Sequence, residues 1–229
     1  MRRLALDTVS NDQDVGKTST RQAMTTATAM RNALGNILDL DEHSLHCSIK
    51  VFQEDGHVAT WARSSPLDDR PVETSGEAKP ISDGTPWCAL MGKDDGITRW
   101  RKIRCFASND LTQANEKRLL TIGRENWSHY YKSALVFPLI YYNECENNQS
   151  PVIFGFLCFD SPEQNAFPGL PDIFRYRDPH DLQSYHRALS KQAAFHMGAI
   201  MADTLSVFLR PFYELRQRNG VYNKKELND

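Results

Sequence analysis

The chain reads as an α/β protein of the α+β kind, with strand and helix signals in separate blocks. Three observations predict this. Leu45, Cys47, Ile49 and Val51 alternate with His46, Ser48, Lys50 and Phe52, the period-two pattern of a strand with one buried face. Two near-continuous apolar runs, 133–142 and 152–160, have the composition of strands covered on both faces. Apolar residues recur at helical spacing over 19–38 and again over 181–215.

Residues 1–18 are polar and irregular and are expected to form a flexible N-terminal arm. Ala23, Ala27, Met30, Leu34 and Leu38 then line one helix face, and Asp39 and Asp41 mark its end. Glu54-Asp55-Gly56 is a turn between the alternating strand and a second strand over 57–63. The segment 64–84 carries Pro66, Pro71, Gly76, Pro80 and Gly84, and it reads as a long loop without regular structure. Thr85 is placed to cap a short helix with Pro86 at its first position and Gly92 beyond its end. A short strand over 103–107 and a helix over 111–122 follow. Pro138 is awkward in the first long strand, because it donates no ladder hydrogen bond, so a bulge or a locally unpaired stretch is expected there. The last helix carries Leu182, Tyr185, Leu189, Ala193, Ile200 and Phe208 on one stripe, and Pro211 should kink or interrupt it. The domain layout is one unit over 19–215, with a polar C-terminal tail over 216–229.

Composition excludes several classes. Hydrophobic residues make up 40%, with eleven Phe, eight Tyr and four Trp, so a packed core is expected. Net charge is -2 from 27 basic and 29 acidic residues, and no basic stripe is visible, so no nucleic-acid partner is expected. The five cysteines form no CxxC pair, and the first residues hold no apolar stretch of signal-peptide length. Reduced thiols and a cytoplasmic location follow. The apolar stretch 193–209 is shorter than the roughly 20 residues a spanning helix needs, and it contains His196 and Asp203. It reads as a buried or dimer-forming helix, and no membrane partner is expected. Asp203 there either meets a partner across an interface or faces solvent.

Residues 133–139, Ser-Ala-Leu-Val-Phe-Pro-Leu, resemble the small-x-hydrophobic-x-x-Pro-Leu strand of GAF domains. Residues 154–161, Phe-Gly-Phe-Leu-Cys-Phe-Asp-Ser, resemble that family's next strand, and Phe167 resembles the aromatic that follows it. The resemblance follows the element order over 20–210 and the residues mainly over 133–167. It implies a central antiparallel sheet of five or six strands with N- and C-terminal helices packed on one face. It also accounts for Pro138. It further implies a pocket between the sheet and the smaller helices and loops, and dimerisation through the flanking helices. The family's Asn-Lys-x-x-x-Phe motif for cyclic nucleotides is not recognisable, since Asp160-Ser161-Pro162 stands where it would begin. No cysteine context points to covalent bilin attachment. No cofactor is assigned.

Candidate ligand-binding residues are Trp87, Phe106, Asn109, Asp110, Trp127, Tyr131 and Ser133. Aromatic walls with a few placed donors suit a small-molecule pocket. Six of them also have a structural alternative: Asn109 and Asp110 as helix caps, and Trp87, Phe106, Trp127 and Tyr131 as core. Histidines 180, 186 and 196 are spaced by six and ten residues, which does not gather them on one helix face, and no metal site is expected. No GxSxG, HExxH, P-loop or dinucleotide fingerprint occurs.

Three functional readings remain. The first is a stand-alone GAF-like sensor that binds a small molecule and signals through its helices to a separate output protein. The second is a ligand-free homodimeric interaction module. The third is an enzyme like the thiol-dependent free methionine sulfoxide reductase, with Cys88 loosely resembling a resolving cysteine. That family's His-x-x-Cys segment is missing here, where residues 126–131 contain no cysteine.

Overall fold

The computed structural model describes residues 12–52, 57–64, 79–80, 86–91, 103–117, 119, 127–142, 151–176 and 181–226. The elements in chain order are α1 (Asp12–Leu38), β1 (His46–Phe52), β2 (His57–Arg63), β3 (Lys79–Pro80), α2 (Pro86–Met91), β4 (Phe106–Ser108), α3 (Leu111–Glu116), β5 (Ser133–Tyr142), β6 (Pro151–Ser161), α4 (Leu182–Leu189) and α5 (Ala193–Glu226). Short 3-10 turns cover Trp127–His129 and Ile173–Arg175.

The strands form a six-stranded sheet in the order β3-β2-β1-β6-β5-β4, and every adjacent pair is antiparallel. This is the expected α+β architecture. The two apolar runs, β5 and β6, occupy the middle of the sheet, where both faces are covered. Pro80 sits in the two-residue edge strand β3, a position where a missing amide does least harm. That strand corrects the expectation that 64–84 holds no regular element.

Cross-strand pairs separate the two faces. One face carries Cys47, Ile49, Leu135, Phe137, Leu157 and Phe159, all buried. Helix α5 packs on this face: Phe137 lies against Phe195, and its ring fills the space a Cβ at Gly198 would take. Helix α1 packs on β1, β2 and α5. Its buried positions Ala23, Ala27 and Leu34 belong to the stripe read from the sequence.

Pro138 pairs opposite Phe156, and the register shifts one step later, between Leu139 and Ile140. The amide that this bulge releases is not orphaned. Ile140 N donates to Ser206 Oγ of α5 at 3.0 Å, and Ser206 in turn donates to Ala202 O at 2.8 Å.

Four expectations about helix and strand limits change. Helix α1 starts at Asp12, so the stretch read as an irregular arm is helical from there, and residues 1–11 lie outside the described residues. The helix over 111–122 stops at Glu116, where Lys117 closes it. The third strand is shifted to Phe106–Ser108. The final helix breaks at 190–192 rather than at Pro211, and α5 then runs through Pro211 to Glu226, across the limit set for a polar tail. The Thr85 cap, the Glu54-Asp55-Gly56 turn and Gly92 lie outside the described residues.

Candidate functional site

Among the described residues, two regions away from α1 and α5 gather polar groups. The first is an open polar cleft of about 380 Å³ between α3 and the segment after β6. Its carboxylates already hold backbone. Asp110 caps α3 by accepting from Gln113 N at 2.9 Å, and it accepts from Gln164 Nε2 at 3.1 Å. Asp172 caps the second 3-10 turn by accepting from Phe174 N at 3.0 Å, with Ser108 Oγ at 3.4 Å. Burial raises the Asp172 carboxyl above its ordinary value against these hydrogen bonds.

Asn109 beside this cleft is a clamp. Its amide nitrogen donates to Phe167 O at 2.9 Å and Leu170 O at 3.3 Å, and its oxygen accepts from Phe167 N at 3.0 Å. Ser133 is fully buried, with its hydroxyl 2.6 Å from Glu163 O and 3.1 Å from Asn109 O. Together these two side chains tie β4, β5 and the 163–170 segment into one corner.

The second region is the sheet face opposite the terminal helices. On it β1 places His46, Ser48, Lys50 and Phe52, and β6 places Asp160, Cys158 and Phe156 across from the first three of these. From β2 come Arg63, opposite Ser48, and Thr60, opposite Lys50. Positions 60 and 63 are an odd number apart, so a regular strand would send them to opposite faces. The bulge between Ile49 and Lys50 absorbs Trp61 as an extra residue and brings both onto this face.

Trp87 of α2 covers the middle of this face, 4.8 Å from the Phe156 ring, with Lys50 Nζ 5.7 Å from its own ring. Lys50 Nζ also donates to Thr60 Oγ1 at 2.8 Å. At the end of the row, His46 Nδ1 lies 3.4 Å from Asp160 Oδ1. Ser48, Thr60, Arg63 and Asp160 are all buried, and Lys50 is partly buried. The expectation that β1 has one buried face is therefore corrected: Ser48, on the other face, is 1% exposed.

Of the seven candidate residues, the structure brings only Trp87 to this face as a cover. Phe106 is buried core, edge-on to Phe174 at 5.8 Å. Trp127 and Tyr131 stack on each other at 5.7 Å, partly buried, just before β5. Asn109, Asp110 and Ser133 serve the corner and cap just described. Sequence reasoning missed Ser48, Lys50, Thr60 and Arg63. The available signal was Phe52, an aromatic inside the otherwise polar set of alternates.

Among the described residues, no group of three or more His, Cys, Asp or Glu could hold a metal. Nor is any helix long and apolar enough to cross a membrane. Cys47, Cys105 and Cys158 are free and buried. Burial drives the thiols of Cys47 and Cys105 well above their ordinary value and that of Cys158 up to about 12. The thiolate, the reactive species, is then suppressed roughly a thousandfold for Cys158 relative to an exposed thiol. Iodoacetamide labelling of the native protein at pH 8, read by peptide mapping, is expected to leave these three unmodified and to reach them after unfolding. Rapid native labelling of any of them would show that the burial is not maintained in solution. Of the Cys88 side chain nothing is described.

The sheet order, the Pro-Leu and Gly…Asp-Ser strands and the two terminal helices have the arrangement of a GAF-like fold. No protein-family model matches the chain, and no curated protein matches it. Among solved structures it is similar to the PixJ GAF domain of Thermosynechococcus elongatus in its blue-light-absorbing form, at 15% identity and TM-score 0.36, covering 89% of this chain and 94% of that one. It is similar to a type II free methionine-R-sulfoxide reductase of Thermoplasma acidophilum at 16% identity and TM-score 0.37, covering 78% and 92%. It is also similar to the GAF domain of an Acinetobacter phosphoenolpyruvate-protein phosphotransferase at 12% identity and TM-score 0.38, covering 88% and 96%. At these identities and TM-scores the likenesses carry neither a ligand nor a chemistry over to this chain.

Proposed function

We propose that this chain is a GAF-like sensory or regulatory domain of the cytoplasm. It binds a small molecule on the sheet face opposite its terminal helices and passes the bound state to a partner through α1 and α5. The observation that carries the reading is the β2 bulge at Trp61. It costs ladder regularity, yet it sets Thr60 opposite Lys50 and Arg63 opposite Ser48 on one face, with Lys50 Nζ 5.7 Å from the Trp87 ring. Bulges that re-aim side chains are a device of binding sites.

The second part of the reading is a homodimer. On α5, Ile200, Val207 and Phe208 are 61%, 74% and 68% exposed, and α1 adds Met24 and Ile37. Residues seven and eight apart share one helix face, and a second copy of the same helix is self-complementary to such a stripe. Asp203 is exposed on this helix, so it needs no buried partner within the protomer. Native mass spectrometry of freshly purified protein, compared with its denatured mass, tests both parts. The expected result is a dimer carrying one non-covalent adduct per subunit. A clean dimer without adduct would favour the ligand-free interaction module, and a bare monomer would remove the dimer.

A further inference from the structure

We infer that the polar cleft between α3 and the segment after β6 is a second ligand site, and that it takes a dipeptide-sized zwitterion. Asp110 and Asp172 receive the ammonium, and Lys117 and Arg175 receive the carboxylate. The cleft shares no residue with the sheet face, so this inference stands apart from that reading.

The cleft has about 380 Å³ of space, enough for a small molecule. Two short helical segments wall it, and each begins with a carboxylate and ends with a cation. Asp110 caps α3 and Lys117 closes it, while Asp172 caps the turn Ile173–Arg175 and Arg175 completes it. The two carboxylates share one end, because Ser108 Oγ lies 3.4 Å from both Asp110 N and Asp172 Oδ2. The α-helical rise sets the backbone of Lys117 about 10 Å from that of Asp110. The rise of the 3-10 turn sets Arg175 about 6 Å from Asp172. A two-residue peptide spans at most about 7 Å between its charged ends.

The four charges do not neutralise one another. Among the described residues none of them forms an ion pair. Lys117 Nζ donates to the neutral Gln113 Oε1 at 2.8 Å, and among the described residues the Arg175 guanidinium donates no hydrogen bond. Capping leaves the carboxylates room to accept more. Both hydrogen bonds to the Asp110 carboxylate go to Oδ1, and Asp172 Oδ2 holds Ser108 Oγ at a long 3.4 Å.

Two charges of each sign around one space suit a ligand that carries both. A simple anion would meet the carboxylates, and a simple cation would meet the lysine and the arginine. Asp172 supports the assignment of the ammonium. Burial pushes its carboxyl above the ordinary value despite its hydrogen bonds and the nearby Arg175 charge, and an ammonium seated beside it would favour the charged form.

Thermal unfolding of the full chain tests this with glycylglycine, with N-acetylglycine as the carboxylate alone and with glycinamide as the ammonium alone, at matched ionic strength. Glycylglycine is expected to raise Tm saturably. Each singly charged analogue should need a roughly tenfold higher concentration for the same rise. Arg175 and Lys117 are exposed, so Arg175→Gln and Lys117→Gln should keep the wild-type circular dichroism. Each should weaken the apparent affinity for glycylglycine roughly tenfold. Arg175→Lys, which keeps the charge, should retain most of it. No saturable rise with glycylglycine would overturn the inference. So would an equal rise with either analogue, or an affinity unchanged in both glutamine variants.

Discussion

Gly155→Ala is expected to destabilise the fold by about 3 kcal/mol, among the largest effects of any single methyl group in this chain. Gly155 sits in β6, paired with Val51 on one side and Leu139 on the other. A Cβ there would run into the carbonyl oxygen of Lys50, and it would also lie 3.3 Å from Val51 Cα and 3.3 Å from Leu139 Cδ1. Two of these three atoms are backbone, so relief requires the β1–β6 ladder to move rather than a rotamer to turn. Because the atom struck belongs to Lys50, the same substitution should also disturb the sheet-face site. Urea unfolding read by far-UV circular dichroism measures the loss. A midpoint within the wild-type error would mean that the close approach of β1 and β6 is absent in solution.

Asn109→Ala should cost about 3 kcal/mol as well, by a different route. The side chain satisfies Phe167 N, Phe167 O and Leu170 O together. Each backbone group that loses its partner in a partly buried place costs about 1 kcal/mol or more. The backbone carbonyl of Asn109 also accepts from Asn165 N at 2.9 Å, a bond the substitution leaves intact. The damage should therefore centre on 167–170. Hydrogen exchange gives the decisive reading: the Phe167 amide should lose protection while amides of β5 and β6 keep theirs. Exchange accelerating evenly across the sheet would point to global destabilisation rather than a lost clamp.

The sheet was legible in the sequence where burial follows chain-local pattern. The runs at β5 and β6 are apolar on both faces because they lie in the middle of the sheet, and their limits were read to within a residue. Pro138 announced a break in the ladder, and the structure places the shift immediately after it. What remained hidden depends on contacts distant in sequence. Nothing local marks Trp61 as the extra residue of a bulge, since the strand reads as an ordinary alternation until β1 is laid beside it. Ser48 looked like a solvent-facing alternate because what lies over that face cannot be read from the period of one strand. Asn109 and Asp110 were read two ways, as ligand contacts or as helix caps. Both are polar at the end of a strand, and both were candidates for a ligand; the structure gives them neighbouring backbone to hold. The break at 190–192 escaped because Ala188, Leu189 and Ala193 continue the helical apolar period across it.

Among the contacts that attach helix α5 to the sheet, two lock its position along the axis. Phe137 is seated against Gly198, and Ile140 N is bonded to Ser206 Oγ. These anchors are eight residues apart, about 12 Å along the helix axis. Sliding the helix along its axis by one turn, or rotating it about that axis, would break both anchors together. Pro211 follows the second anchor by little more than a turn and removes one intrahelical hydrogen bond there. The stiff direction of this helix is therefore its axis, and the compliant one is a bend beyond Arg210, whose guanidinium still lies 5.2 Å from the Tyr141 ring. Whatever is joined to the far end of α5 would receive a sideways swing rather than a piston stroke.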